Sequence, residues 1–148
     1  MGTILQYVAQ YVAILSAACF AGGAIYISIV EHPARMADPE IAIRQFRESY
    51  PRAVPWQAST AAICFLSSIV LAVADRNWLW AIGGFALGIV IPFTLIVIFP
   101  TNKKILDTTT VLAPDEAARL LRRWGALHWV RSILGVGGLI ALLAASLR

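Results

Sequence analysis

Four long apolar runs constrain this chain more than any other feature. Ile4 to Val30, Trp56 to Ala74 and Trp78 to Phe99 contain no charged residue, and Trp129 to Leu147 carries one, Arg131. A hydrocarbon core about 30 Å thick is crossed by roughly 20 helical residues, and each run supplies about that many or more. Backbone amides in lipid must find partners within their own segment, and continuous runs of this length do so as helices. The fold expected is therefore all-α. It is a four-helix transmembrane bundle, a single domain over residues 1–148 with spans at about 4–30, 56–74, 78–99 and 127–147. At 59% hydrophobic and 14% charged residues, the composition excludes an ordinary soluble domain.

The first run has no basic segment before it and no small-residue cleavage site after it, so it is expected to be retained as a span. Gln6 stands where N-myristoylation requires Ser or Thr. Cys19 and Cys64, in the first and second spans, form no C-x-x-C pair and read as small packing residues. The net charge of +4 takes its meaning from its distribution. Arg35, Arg44, Arg47 and Arg52 follow the first span, and Lys103, Lys104, Arg119, Arg122, Arg123 and Arg131 lie between the third span and the start of the fourth. Only Arg76 and Arg148 lie on the other side. That is the positive-inside pattern of an integral membrane protein, expected in a bacterial inner membrane with both long loops cytoplasmic and both termini outside. The expected surroundings are a lipid bilayer, and no nucleic acid.

Prolines and small residues punctuate the runs. Span one is expected to end at Glu31-His32-Pro33, with the proline pushing His32 towards extended geometry. Asp38-Pro39-Glu40 reads as a helix start, with an N-cap, a first-position proline and an acid in the first turn. It opens a short interfacial helix carrying Ile43, Phe46 and Tyr50 along one side, which Pro51 and Pro55 are expected to close. Asp75-Arg76-Asn77 reads as a tight turn. Gly84-x-x-x-Gly88-x-x-x-Pro92 predicts a close helix contact with a kink, and the Ala18–Gly22 pair predicts another small-residue contact. Such faces serve packing within a bundle or a homo-oligomer equally well. Span three is expected to stop at Pro100-Thr101-Asn102. Ala113-Pro114-Asp115-Glu116 starts a second interfacial helix that runs into span four and is loosened at Gly125.

On a helix, Trp124, His128, Arg131 and Gly135 fall at steps of four, three and four, and so share a face. Polar groups entering hydrocarbon are unfavourable unless paired or functional. Span order brings more residues to the same place. The ends of spans one and three and the starts of spans two and four lie on one membrane face, so His32, Tyr50, Arg52, Asn102, Trp124, His128 and Arg131 share one rim. Both histidines of the chain are among them.

Three readings compete for that rim. Arginine and histidine at an interface snorkel, and tryptophan and tyrosine form aromatic belts. Alternatively, one imidazole removes a proton while Arg131 and Asn102 hold the resulting anion. A third reading is metal or haem, with His32 and His128 as ligands and Glu31 completing a three-ligand set, although no H-x-x-H or E-x-x-H spacing supports it. Glu31 equally suits a pair with Arg35, Arg122 and Arg123 suit plain anchors, and Asn102 suits a helix C-terminus.

Three short motifs resemble the anthrone-oxygenase-like family of small four-span membrane proteins. They are Glu31-His32-Pro33-Ala34 after span one, Pro100-Thr101-Asn102 closing span three, and Arg123-Trp124-x-x-x-His128-x-x-Arg131 opening span four. The resemblance covers nearly the whole chain. It implies an oxygenase of anthrone-like, phenolic aromatic compounds that uses dioxygen and no obvious cofactor. It also implies His32 or His128 as the base, Arg131 and Asn102 as anion holders and Trp124 as a stacking surface; Tyr50 and Arg52, from the same rim, are expected beside the substrate. A metal or haem protein and a non-catalytic scaffold or assembly subunit are the alternatives.

Overall fold

A computed structural model describes residues 3–148. Four helices, α1 (Ile4–Arg35), α2 (Pro39–Ala74), α3 (Trp78–Leu106) and α4 (Pro114–Ser146), are each long and apolar enough to cross a membrane. No strand occurs among the described residues. α1 and α3 each pack against α2 and α4, so the bundle is four-cornered with those two pairs on its diagonals. One core cluster, around Phe20, Leu71, Trp80, Leu87 and Leu142, fills the bundle towards the Asp75 turn. A second, around Phe46, Ile98, Ile105, Leu121 and Trp124, fills the end near His32. Leu66, Val73, Ile96 and Ile133 face outwards, as they do in a protein whose solvent is lipid. The four apolar helices fit an integral membrane protein.

Glycines set the helix spacing as predicted. Gly84 lies against Ser68 and Gly88 against Phe65 of α2, while Gly83 meets Leu142 and the Gly138 carbonyl of α4. A Cβ at Gly84 would stand 2.6 Å from that of Ser68, so the two backbones approach closely only because it is absent. The Ala18–Gly22 pair is different: both residues lie on the outer face, with nothing within 4 Å of a Cβ at Gly22. The inner stripe of α1 is Ala13, Ala17, Ala21 and Ala24.

The prolines do not end the helices where they were expected to. α1 continues through His32, at φ −67° and ψ −46°, to Arg35. α3 likewise passes Pro100-Thr101-Asn102 and runs to Leu106. Both use one device. A π-helical turn, Ile27–Glu31 in α1 and Thr94–Ile98 in α3, comes just before the proline. The last N–H before each ring, that of His32 or Phe99, bonds to the carbonyl five residues back, Ile27 or Thr94. Widening the turn relieves the clash between the ring and the preceding carbonyls, and hydrocarbon offers a broken helix no water for its amides. The helical stretches expected in the two long loops exist, but as the first turns of α2 and α4. α2 is one 36-residue helix with Pro51 and Pro55 inside it. α4 is 33 residues long and unbroken at Gly125.

Side chains close the ends. Arg76 takes the left-handed conformation, φ 50°, in the turn after α2, and Asn77 caps α3 while its amide donates to the Ala145 carbonyl at 3.2 Å. At the other end Arg47 donates to the carbonyls of Ile105 and Asp107, which have no helical partner. Beyond α3, the Thr109 hydroxyl and N–H hold the Asp107 carboxyl below the usual carboxylate range.

Candidate active site

The face of α4 predicted from its spacing points inwards: Trp124, His128, Arg131 and Gly135 are all buried. Gly135 lies against Phe20 of α1, and the Arg131 guanidinium carbon sits 5.6 Å from the centroid of the Phe20 ring, within cation–π range. Arg131 also donates to the side-chain carbonyl of Gln57, buried in α2. A buried guanidinium with an amide partner and an aromatic face beneath it is a fixed positive charge, not a snorkelling one.

His128 is 1% exposed and bonded across the bundle. Its Nδ1 lies 3.1 Å from the Ser28 hydroxyl, which is 2.8 Å from that of Ser132, and Ser132 donates to the Ala24 carbonyl at 3.0 Å. Ser28 reaches this position because it continues the inner stripe of α1 into the π-helical turn. The Trp124 indole lies against the His128 ring, meets Phe46 edge-on at 5.1 Å, and touches His32 at 5.4 Å. Tyr50 stacks on Phe46 and accepts a hydrogen bond from the Asn102 amide.

Beside these groups lies a cavity of about 220 Å³ lined by residues of all four helices. Six of its lining residues bear polar groups: Tyr50, Gln57, Thr94, Trp124, His128 and Arg131. The rest of the wall is apolar, including Phe20, Ile27, Ala61, Val90 and Ile91. Thr94 turns its hydroxyl back to the Val90 carbonyl at 2.7 Å, which leaves the donors on the α2 and α4 sides to face a ligand.

The predicted residues divide. Trp124, His128, Arg131 and Tyr50 line the cavity. Asn102 stands behind Tyr50 and holds it. His32 does not line the wall: its ring fills the space above Gly125, where a Cβ would collide with the imidazole, and braces Trp124. Arg52 is also elsewhere, 74% exposed and paired with Glu48 one turn back. The metal set is not assembled. Glu31 pairs with Arg35, the His128 Nδ1 faces Ser28, and no three His, Cys, Asp or Glu residues gather as a metal site among the described residues. Sequence reasoning missed Ser28, Gln57 and Ser132. Each is a polar residue inside an apolar run, and that was the available signal.

The family model for anthrone oxygenase matches residues 45–141, more than half of the chain. The chain belongs to the anthrone oxygenase family. A curated relative, anthrone oxygenase ptaC of Pestalotiopsis fici, is 28% identical, the match covering 73% of this chain and 86% of the relative. No solved structure matches. The matched region holds every polar cavity residue described above, from Tyr50 to Arg131, and leaves out the part of α1 that supplies Ser28 and His32. Membership of this family supports an oxygenase-type activity.

Proposed function

We propose that this protein oxygenates flat, apolar aromatic compounds of anthrone-like acidity, using dioxygen and no cofactor. One observation carries the reading: an imidazole, a fixed guanidinium, a phenol and an indole line one largely apolar cavity. His128 is the base, in preference to His32, because only His128 reaches the cavity wall. It takes a proton from the methylene opposite the substrate carbonyl. The negative charge then collects on the carbonyl oxygen, where Arg131, held by Gln57, and the Tyr50 hydroxyl, held by Asn102, stabilise it. Trp124 supplies a stacking wall for the rings.

The electron-rich anion is the reductant. It forms a carbon–oxygen bond to dioxygen, giving a hydroperoxide after protonation. Loss of the remaining hydrogen on that carbon with cleavage of the oxygen–oxygen bond yields a ketone and water. One oxygen atom enters the product, the other leaves as water, and no external electron donor is needed. The bilayer concentrates such substrates. The charge bias supports an inner-membrane orientation with the His32 end of the bundle in the cytoplasm.

The test is oxygen uptake by the purified protein in lipid nanodiscs supplied with anthrone, with anthraquinone followed by absorbance. General-base removal typically lowers rate by about 10²–10⁴-fold, which is the effect expected of His128→Ala. Turnover that survives His128→Ala would overturn the assignment. Absence of oxygen uptake by the intact protein with any anthrone-like compound would overturn the reaction.

A further inference from the structure

The geometry points to Ser28 and Ser132 as positioning residues that fix the His128 tautomer, so that neutral His128 carries its proton on Nδ1 and presents a bare Nε2. Three contacts link the group: His128 Nδ1 to Ser28, Ser28 to Ser132, and Ser132 to the Ala24 carbonyl. Each needs one proton. A carbonyl only accepts, and the Ser132 hydroxyl has two within reach, that of Ala24 at 3.0 Å and that of His128 at 3.4 Å, so the Ser132 proton goes to a carbonyl, Ala24 being the nearer. The Ser28–Ser132 contact must then use the proton of Ser28. Nothing remains to donate to Nδ1, so the third proton is the ring's own, and Ser28 accepts it. The opposite tautomer would set two lone pairs against each other at one of the three contacts. Both serines are buried, Ser28 at 5% and Ser132 at 0% exposure, so water does not replace a missing donor. With Nδ1 committed, Nε2 is the remaining nitrogen on a ring that lines the cavity. The pair acts on His128 as an orienting acceptor acts on a catalytic histidine elsewhere, but through a hydroxyl chain that ends on backbone rather than a carboxylate.

The chain holds only two histidines, so nitrogen NMR of the protein labelled at histidine gives two resolvable rings, with His32→Gln assigning them. In nanodiscs at neutral pH, His128 is expected to be neutral and protonated at Nδ1. A ring protonated at Nε2, or at both nitrogens, overturns the inference without any variant. Ser132→Ala frees the Ser28 proton to point at Nδ1, so the tautomer is expected to shift towards Nε2–H, and Ser132→Thr is expected to restore it. A Ser132→Ala protein that keeps the wild-type tautomer would leave the serines as packing. The functional consequence rests on the oxygenase reading. There, Ser132→Ala should lower kcat on the order of 10–100-fold, as loss of an orienting partner does, with KM nearly unchanged and recovery in Ser132→Thr. An Nδ1–H ring in a protein that never oxidises an anthrone would retire the reaction and keep the tautomer.

Discussion

The indole of Trp124 lies close to parallel with the His128 imidazole, ring centroids 4.7 Å apart and planes inclined by 28°. The same indole touches His32 and Phe46, so it is the hub through which four aromatic rings hold one another. Its Nε1 has no protein partner. Trp124→Phe therefore forfeits no internal hydrogen bond and should change stability by less than about 1.5 kcal/mol. Trp124→Ala should destabilise by about 3–5 kcal/mol, the range for a large buried aromatic. If the indole also stacks on substrate, Trp124→Phe raises KM at near-native stability. Thermal unfolding in detergent beside oxygen-uptake kinetics separates the two effects, and unchanged kinetics would confine Trp124 to packing.

His32 makes its contribution by filling space. A methyl at position 125 would run into the imidazole ring, so Gly125→Ala should destabilise by about 1–3 kcal/mol through overpacking. Combined with His32→Ala the two changes should be non-additive, because the second removes the atoms with which the first collides. Equal penalties in the presence and absence of the imidazole would show that the contact does not govern the site. His32→Ala alone should keep measurable turnover, in contrast with His128→Ala.

Arg131 and Gln57 are 74 positions apart in sequence and joined in the cavity wall. Gln57→Leu leaves a buried guanidinium without its amide partner and should destabilise by about 1–3 kcal/mol. Removing the charge as well, in Gln57→Leu with Arg131→Met, should recover part of that loss, since a broken buried polar pair is worse than an apolar one. Activity should not recover with it. Denaturation midpoints rising while oxygen uptake stays absent is the expected pattern. Recovery of both would remove Arg131 from the chemistry.

The sequence made the spans and the α4 face legible because both are periodic properties of a single helix. Four apolar runs of bilayer length admit little else, and Trp124, His128 and Arg131 at helical spacing needed no partner to be recognised. What could not be read is pairwise. Ser132 meets the Ala24 carbonyl across 108 residues and the Ser28 hydroxyl across 104, and a lone serine in a span carries no mark of its partner. Arg52 misled because membership of the rim says nothing about which way a side chain turns on its helix. The prolines misled for a different reason. Helix-ending rules suppose that the chain breaks at the ring, whereas a π-helical turn before Pro33 and before Pro100 keeps the ladder running.

The cavity opens sideways. α2 and α3 pack closely from the Asp75 turn to the contact of Phe65 with Gly88, touch little along the π-helical turn of α3, and meet again where Asn102 bonds to Tyr50 and Arg47 to the Ile105 carbonyl. The exposed members of the cavity wall all lie along that gap: Val54 and Ala58 on α2, Leu95 and Phe99 on α3. None is polar, so the gap faces hydrocarbon without a desolvation barrier for an apolar ring. Ala58→Trp should narrow it, lowering kcat/KM more than kcat as access becomes slower than chemistry. Ile63→Trp, exposed on the same helix but outside the cavity wall, serves as the control for a bulky lipid-facing side chain. In nanodiscs the rate below saturation should follow the mole fraction of substrate in the lipid when total substrate is held fixed and lipid is varied. Equal kinetics for the two tryptophan variants, or a rate that follows only the aqueous concentration, would place the route to His128 somewhere other than between α2 and α3.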